Sequence, residues 1–271
     1  MCYFTTVAAL MLAMLLHNQQ HAAAENAKAL KAEAANHICA INTELKKAPG
    51  HVGQQVKILA QLAEKLLTIR KQLSTIYGGT NTTNCKEKEM LEPYFRKKAK
   101  EALSTISSAG AKAVSEAAAS AWRAGRIDEF MYTFHQVNTS SSNGYCIKGT
   151  NNSAAKNELA CIDDTTGKPT PPPAGPQEKT EPTKKQAAFH SGSSSDKQAD
   201  GTDTKCGLTM HDSTDGGYTR NQEMTTPVKW AGGLFKTGGE ATPTYHTSAS
   251  GDFTATELAL CTDKLTTLTT Q

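Results

Sequence analysis

Between Val52 and Ile76 the chain carries large apolar side chains on a seven-residue repeat. Val52, Leu59, Leu66 and Leu73 share one position, and Leu62, Ile69 and Ile76 share the next. A seam that narrow calls for another helix along it. The stretch from His51 to Tyr77 is therefore expected to be one helix about 40 Å long, ended by Gly78-Gly79.

Two further helical stretches flank it. Before it, Glu25 to Lys47 places Leu30, Ala34, Ile38, Ile41 and Leu45 on one face, and Pro49-Gly50 is expected to stop that helix. After it, Pro93 suits a first helical turn, and a helix is expected from there toward Phe134. Its inner face is small, with Ala109, Ala113, Ala117 and Ala121 following Leu103 and Ile106. Its far end is bulky, with Trp122, Ile127, Phe130, Met131 and Phe134 expected to close a core.

Beyond Val137 the composition turns to Ser, Asn, Thr and Gly. Six of the ten prolines fall between Asp163 and Thr204, a stretch almost without apolar residues that is expected to be a disordered excursion. Later, "VKWAGGLFK" reads as a hairpin turning on Gly232-Gly233. "TATELALCTDKL" then returns to helix: Thr254 and Glu257 have capping-box spacing, and Leu258, Cys261, Leu265 and Leu268 share a face. The expected architecture is mainly α. It is an elongated antiparallel helical hairpin or coiled-coil bundle with loop-rich, disulfide-stapled ends and a small β-hairpin.

The N-terminus and the cysteines point to export. "VAALMLAMLL" is followed by Ala22-Ala23-Ala24, a small-residue cleavage pattern, so residues 1–24 read as a signal peptide and 25–271 as the mature domain. The run is too short to span a bilayer. Of seven cysteines, Cys2 leaves with the signal; Cys39, Cys85, Cys146, Cys161, Cys206 and Cys261 remain. An even set in an exported chain reads as disulfides, and sequence alone leaves every pairing open. Asn81, Asn138 and Asn151 head N-x-S/T triplets in polar stretches and are candidate glycosylation sites.

Chemistry is scarce. A net charge of +3 and 6% aromatic residues argue against a nucleic-acid partner. No H-E-x-x-H, G-x-S-x-G or phosphate-loop pattern occurs, and "GGLFKTGG" reads as a turn. His37 and His135 have no nucleophile and carboxylate close in sequence, and Asp163-Asp164 reads as a solvated loop. "RKKAK" from Arg96 to Lys100, diluted by Glu92 and Glu101, reads as a solvated helical face. "SGSSSDK" is a flexible hydroxyl-rich segment that reads as plain disorder, the alternative being an exposed loop carrying O-linked sugar. The residues therefore indicate no enzyme, no cofactor and no bound metal. A hydrolase would need a nucleophile and base assembled from distant segments.

The helix "ENAKALKAEAANHICAINTEL" with its cysteine, the second long helix, the cluster "NGYCIKGTNNSAAKNELACIDD" and the late "ELALCTDKL" together resemble the N-terminal domain of a trypanosome variant surface glycoprotein. The arrangement is closer to the type called B, and the resemblance runs from Glu25 to Gln271. It implies a homodimeric coat antigen at the outer face of the plasma membrane. Its long helices hold variable loops outward, and host antibodies are the partners it evades. The related alternative is a helical-bundle surface receptor for a host macromolecule. The polar end "TDKLTTLTTQ" lacks the hydrophobic tail of a lipid-anchor signal. The chain is thus expected to be C-terminally truncated. It would reach a membrane only through an anchor it does not encode, and be secreted if complete as given.

Overall fold

The computed structural model describes residues 29–76, 85–137, 144–150, 153–178, 206–209, 228–237 and 244–245. The expected signal peptide, the three glycosylation candidates, Cys261 and the C-terminal helical stretch lie outside the described residues.

A short strand β1 (Leu30–Lys31) leads into helix α1 (Ala32–Ile76), and helix α2 runs from Cys85 to Gln136. β2 (Ile147–Lys148) pairs parallel with β1, Leu30 opposite Ile147. β3 (Val228–Trp230), β4 (Phe235–Thr237) and β5 (Thr244–Tyr245) form an antiparallel sheet in that order. Among the described residues no helix is long and apolar enough to cross a membrane. The mainly helical, disulfide-bearing fold with a small hairpin is the one the sequence indicates.

The chain divides into two compact units. One contains α1 up to Thr43, α2 from Arg123, and Pro171 is its last residue before the chain changes unit; the β3–β5 sheet also belongs to it. Its core is built of large side chains: Leu30, Ile38, Ile41, Ile127, Met131, Phe134 and Leu234 are fully buried. Trp230 at the end of β3 meets Phe134 edge-on at 5.2 Å and Phe130 at 6.3 Å, so the hairpin caps the aromatic end of α2.

The other unit contains Glu44–Trp122 and the segment from Pro172. Here α1 and α2 run antiparallel: Val52 packs with Ala113 and Ala117, while Arg70 meets Glu92. The alanines Ala99, Ala102, Ala113 and Ala117 are all buried, which lets the two backbones approach closely.

Several expectations need correction. Pro49-Gly50 does not stop a helix; α1 passes through it, with Pro49 inside. The proline forfeits one backbone hydrogen bond, but Ala48, His51 and Val52 on either side are buried, and that burial carries the helix across. α2 likewise begins at Cys85, eight residues before Pro93. Ala121 and Leu103 are exposed and Trp122 is 62% exposed. An every-fourth-residue line drifts off the face of a 3.6-residue helix, so the buried row passes through Ser120, Ala124 and Ile127 instead.

The hairpin exists, but its turn is longer. Trp230 pairs with Phe235, leaving Ala231–Leu234 as the connection, and Ala231, Gly232 and Gly233 all have positive φ. The proline-rich stretch is ordered over residues 163–178, where Ile162 bridges to Pro169 and Gln177 docks on α1. Residues 179–204 lie outside the described residues.

Candidate functional site

In the first unit, the region around Cys39, Cys146 and Cys161 gathers the polar turns onto the helices. Cys39 of α1 is bonded to Cys161, and Cys146 to Cys206. Cys85 opens α2, and its side chain, like Cys261, is outside what the structure describes. Beside the first bond, Asn36 clamps the same loop twice. Its Nδ2 donates to the Glu158 carbonyl at 2.7 Å, and its Oδ1 accepts from the Ala160 N–H at 2.9 Å.

Glu158 in turn accepts from the Thr150 N–H at 3.0 Å and from its hydroxyl at 2.8 Å. A Cβ at Gly149 would press on that carboxylate and lie 3.1 Å from the Ala155 Cα, so a side chain there would have to displace Glu158 from this bond. Leu30 N–H donates to the Cys146 carbonyl at 2.9 Å, which ties the strand before α1 to the same cluster.

A further exposed turn is built on Asp163. Its Oδ1 accepts from the Thr166 N–H at 2.7 Å, the Thr166 hydroxyl at 3.0 Å and the Thr165 N–H at 3.0 Å. Those bonds, the Thr166 pair foremost, hold the carboxyl below its ordinary pKa. Gly167 closes the turn at φ +66°. Asp163, Asp164, Thr165 and Thr166 are exposed, so this turn presents a polar tip.

A cavity of about 460 Å³ lies beside it, lined by Phe134, His135, Tyr145, Ile147, Lys156 and Asp164 among others. Burial pushes the His135 imidazole below its ordinary pKa, partly opposed by Asp164. No nucleophile with an adjacent base lines it. Among the described residues no group of His, Cys, Asp and Glu is placed to hold a metal ion. His37 lines a separate cleft with Lys31 and Glu158.

In the second unit the seven seam residues divide. Val52 is buried and Leu59, Leu66 and Leu73 are half-buried, whereas Leu62, Ile69 and Ile76 are exposed. The contact between α1 and α2 runs through the first heptad position and the line one step round from it, where Val56, Ala63 and Arg70 fall. On the basic run Lys98 meets Glu101 at 2.8 Å and Lys97 meets the same carboxylate at 4.0 Å, while Arg70 of α1 meets Glu92 of α2 at 3.2 Å.

Gly50 has a role that the sequence reading missed. A Cβ there would sit 2.7 Å from Gln177 Cγ and 2.9 Å from the Gly175 carbonyl oxygen. The Pro172–Gln177 segment thus crosses α1 at that glycine, and the Gln177 carbonyl lies 3.1 Å from His51 Nδ1. The coincidence of Pro-Gly within α1 and "PPPAGPQ" later was the available signal. Asn36 carried none, because an exposed-looking helix asparagine has no sequence mark of a distant clamp.

The family model described as trypanosome variant surface glycoprotein (A-type) matches residues 10–270. The chain belongs to the trypanosome variant surface glycoproteins. The match is to the A type, which corrects the expected leaning to type B; helix and cysteine placement, with no short motif, does not separate the two. Variant surface glycoproteins are coat antigens of the cell surface, and that is the role and location of this chain. A solved structure titled "Structure of MITat 1.1" shares the fold, with a TM-score of 0.66 and 21% identity, covering 88% of this chain and 69% of that one. No curated protein matches.

Proposed function

We propose that this coat antigen acts purely by occupying surface and presenting exposed polar turns, with no catalytic step. The observation that carries the reading is the family match across residues 10–270. Its support in the fold is the use made of polar side chains. Asp163, Glu158 and Asn36 shape turns, and the charged groups of α2 pair along its surface.

The same reading includes cleavage after Ala24, glycans at Asn81, Asn138 and Asn151, and a homodimer recognised by host antibodies at the polar turns. Leu67 and Leu103 support a second copy, because both are exposed and line one shallow groove of the second unit.

The test is expression of the tagged chain in a coat-bearing parasite, with surface labelling of live cells and light scattering of the purified protein. The expected result is surface label, a dimer mass and antibodies that lose binding when residues 163–167 are replaced. A stoichiometric host-serum protein recovered with it would instead favour a receptor.

A further inference from the structure

The coat role leaves the cavity beside the Asp163 turn without a use. At about 460 Å³ it falls within the size range of small-molecule sites. Every residue that lines it belongs to the first unit. Its floor is apolar: Phe134, Tyr145, Ile147 and Ala155 all line it and all are buried. The body of a ligand lying there would meet hydrocarbon, part of it aromatic. Selectivity is then left to the rim.

The rim favours positive charge. Phe134, His135 and Gln136, the last residues of α2, form one wall. The carbonyl end of a helix carries the negative pole of its dipole, together with acceptors that the helix itself leaves over. A cation in that turn would cancel the field, but the basic residue there is His135. Burial holds its imidazole below the ordinary 6.5, so at neutral pH it is uncharged and one ring nitrogen accepts a hydrogen bond.

Two exposed side chains of opposite sign, Lys156 and Asp164, complete the rim. They do not act on the wall equally. The charge that reaches the His135 imidazole is that of Asp164. An ammonium group against this wall would thus meet a carboxylate, the negative pole of α2 and a neutral imidazole, with Lys156 opposing it from the mouth. A ligand carboxylate in the same place would meet the reverse.

We propose that this cavity binds a small organic ammonium ion, a primary amine on an aromatic or aliphatic body, held by Asp164 and the carbonyl end of α2 above the Phe134–Tyr145 floor. The inference goes beyond the coat reading and does not depend on it. Occupancy would join the end of α2 to the exposed turn at residues 163–167.

The test is calorimetric titration of the full chain, secreted from eukaryotic cells, at neutral pH. The probes are phenethylamine, phenethyl alcohol and phenylacetate, which share an aromatic body and differ in the charge of the head. The amine is expected to bind saturably and at least about tenfold more tightly than the alcohol or the acid. Both rim charges are exposed, so their substitutions leave the core intact. Asp164→Asn should weaken the amine at least about fivefold, and Lys156→Ala should strengthen it. No saturable binding of the amine, or equal or tighter binding of the alcohol or the acid, would overturn the proposal. So would an Asp164→Asn variant that binds the amine as the parent does, or a Lys156→Ala variant that binds it more weakly.

Discussion

The two units solve the same packing problem with different materials. In the first, Leu30, Ile38, Ile127, Met131 and Phe134 meet in a core that two disulfides and a tryptophan-bearing hairpin close. In the second, alanines bring two helices together around Val52 and Ala63, and a row of larger aliphatics stays on the outside. Large side chains fill a volume and finish a unit; small ones shorten an interhelical distance and leave the large ones free for further partners. A coat antigen has use for both, a self-contained part to carry exposed turns and a helical part with faces to spare.

The largest expected effect is on covalent closure in the first unit. Cys39 and Cys161 are 122 residues apart, and removing both cysteines should cost about 5 kcal/mol by the loop-entropy estimate. Denaturant unfolding of the double alanine variant measures it, and a loss under about 1 kcal/mol would break the contrast between the units.

Next, Phe134→Ala should cost about 3–5 kcal/mol, since Phe134 is fully buried against Phe130 and Trp230. Ala113→Leu tests the other unit: overfilling the alanine seam should cost about 1–3 kcal/mol and leave the near-ultraviolet signal of the Phe130–Trp230 cluster intact.

Gly50→Ala sharpens the comparison locally. The new methyl would meet the Gly175 carbonyl at 2.9 Å. Helix propensity returns up to about 1 kcal/mol, so the net stability change should be small. The readout is proteolysis, which should become faster across residues 172–178 and stay unchanged at Asp163–Gly167.

The smallest effect is that of His135. Its folded pKa is depressed by burial below the ordinary 6.5. The unfolded chain therefore binds more protons between the two values, and stability falls as pH drops through that window. The stability contribution is fully present above pH 6.5. His135→Gln should flatten that slope in pH-dependent thermal melts, while Gly50→Ala leaves it as it is.

The helices were legible because burial imposes a period, and Ile38, Ile41 and Leu45 announced their face as clearly as Ile127, Met131 and Phe134 did. Which half of the seam would face α2 was not legible. Val52 and Leu62 are equally apolar, and choosing between them needs the partner's alanines in register. Pro49-Gly50 misled because local propensity favours a stop there, whereas buried neighbours on both sides outweigh one lost backbone bond. Trp122 misled for the opposite reason: size suggested burial, yet its position on the helix faces outward. The Asp163 turn was hidden because its order comes from side-chain hydrogen bonds and a bridge to Pro169, neither of which composition records.

The most direct test of the two-unit account is residue-resolved hydrogen exchange on the intact glycoprotein before and after mild reduction. The account predicts that reduction releases protection at residues 32–43 and 127–136, where the disulfides hold the core, and leaves residues 52–66 protected by their alanine-seam contact. Uniform loss along the whole of α1, or loss confined to residues 52–66, would contradict it.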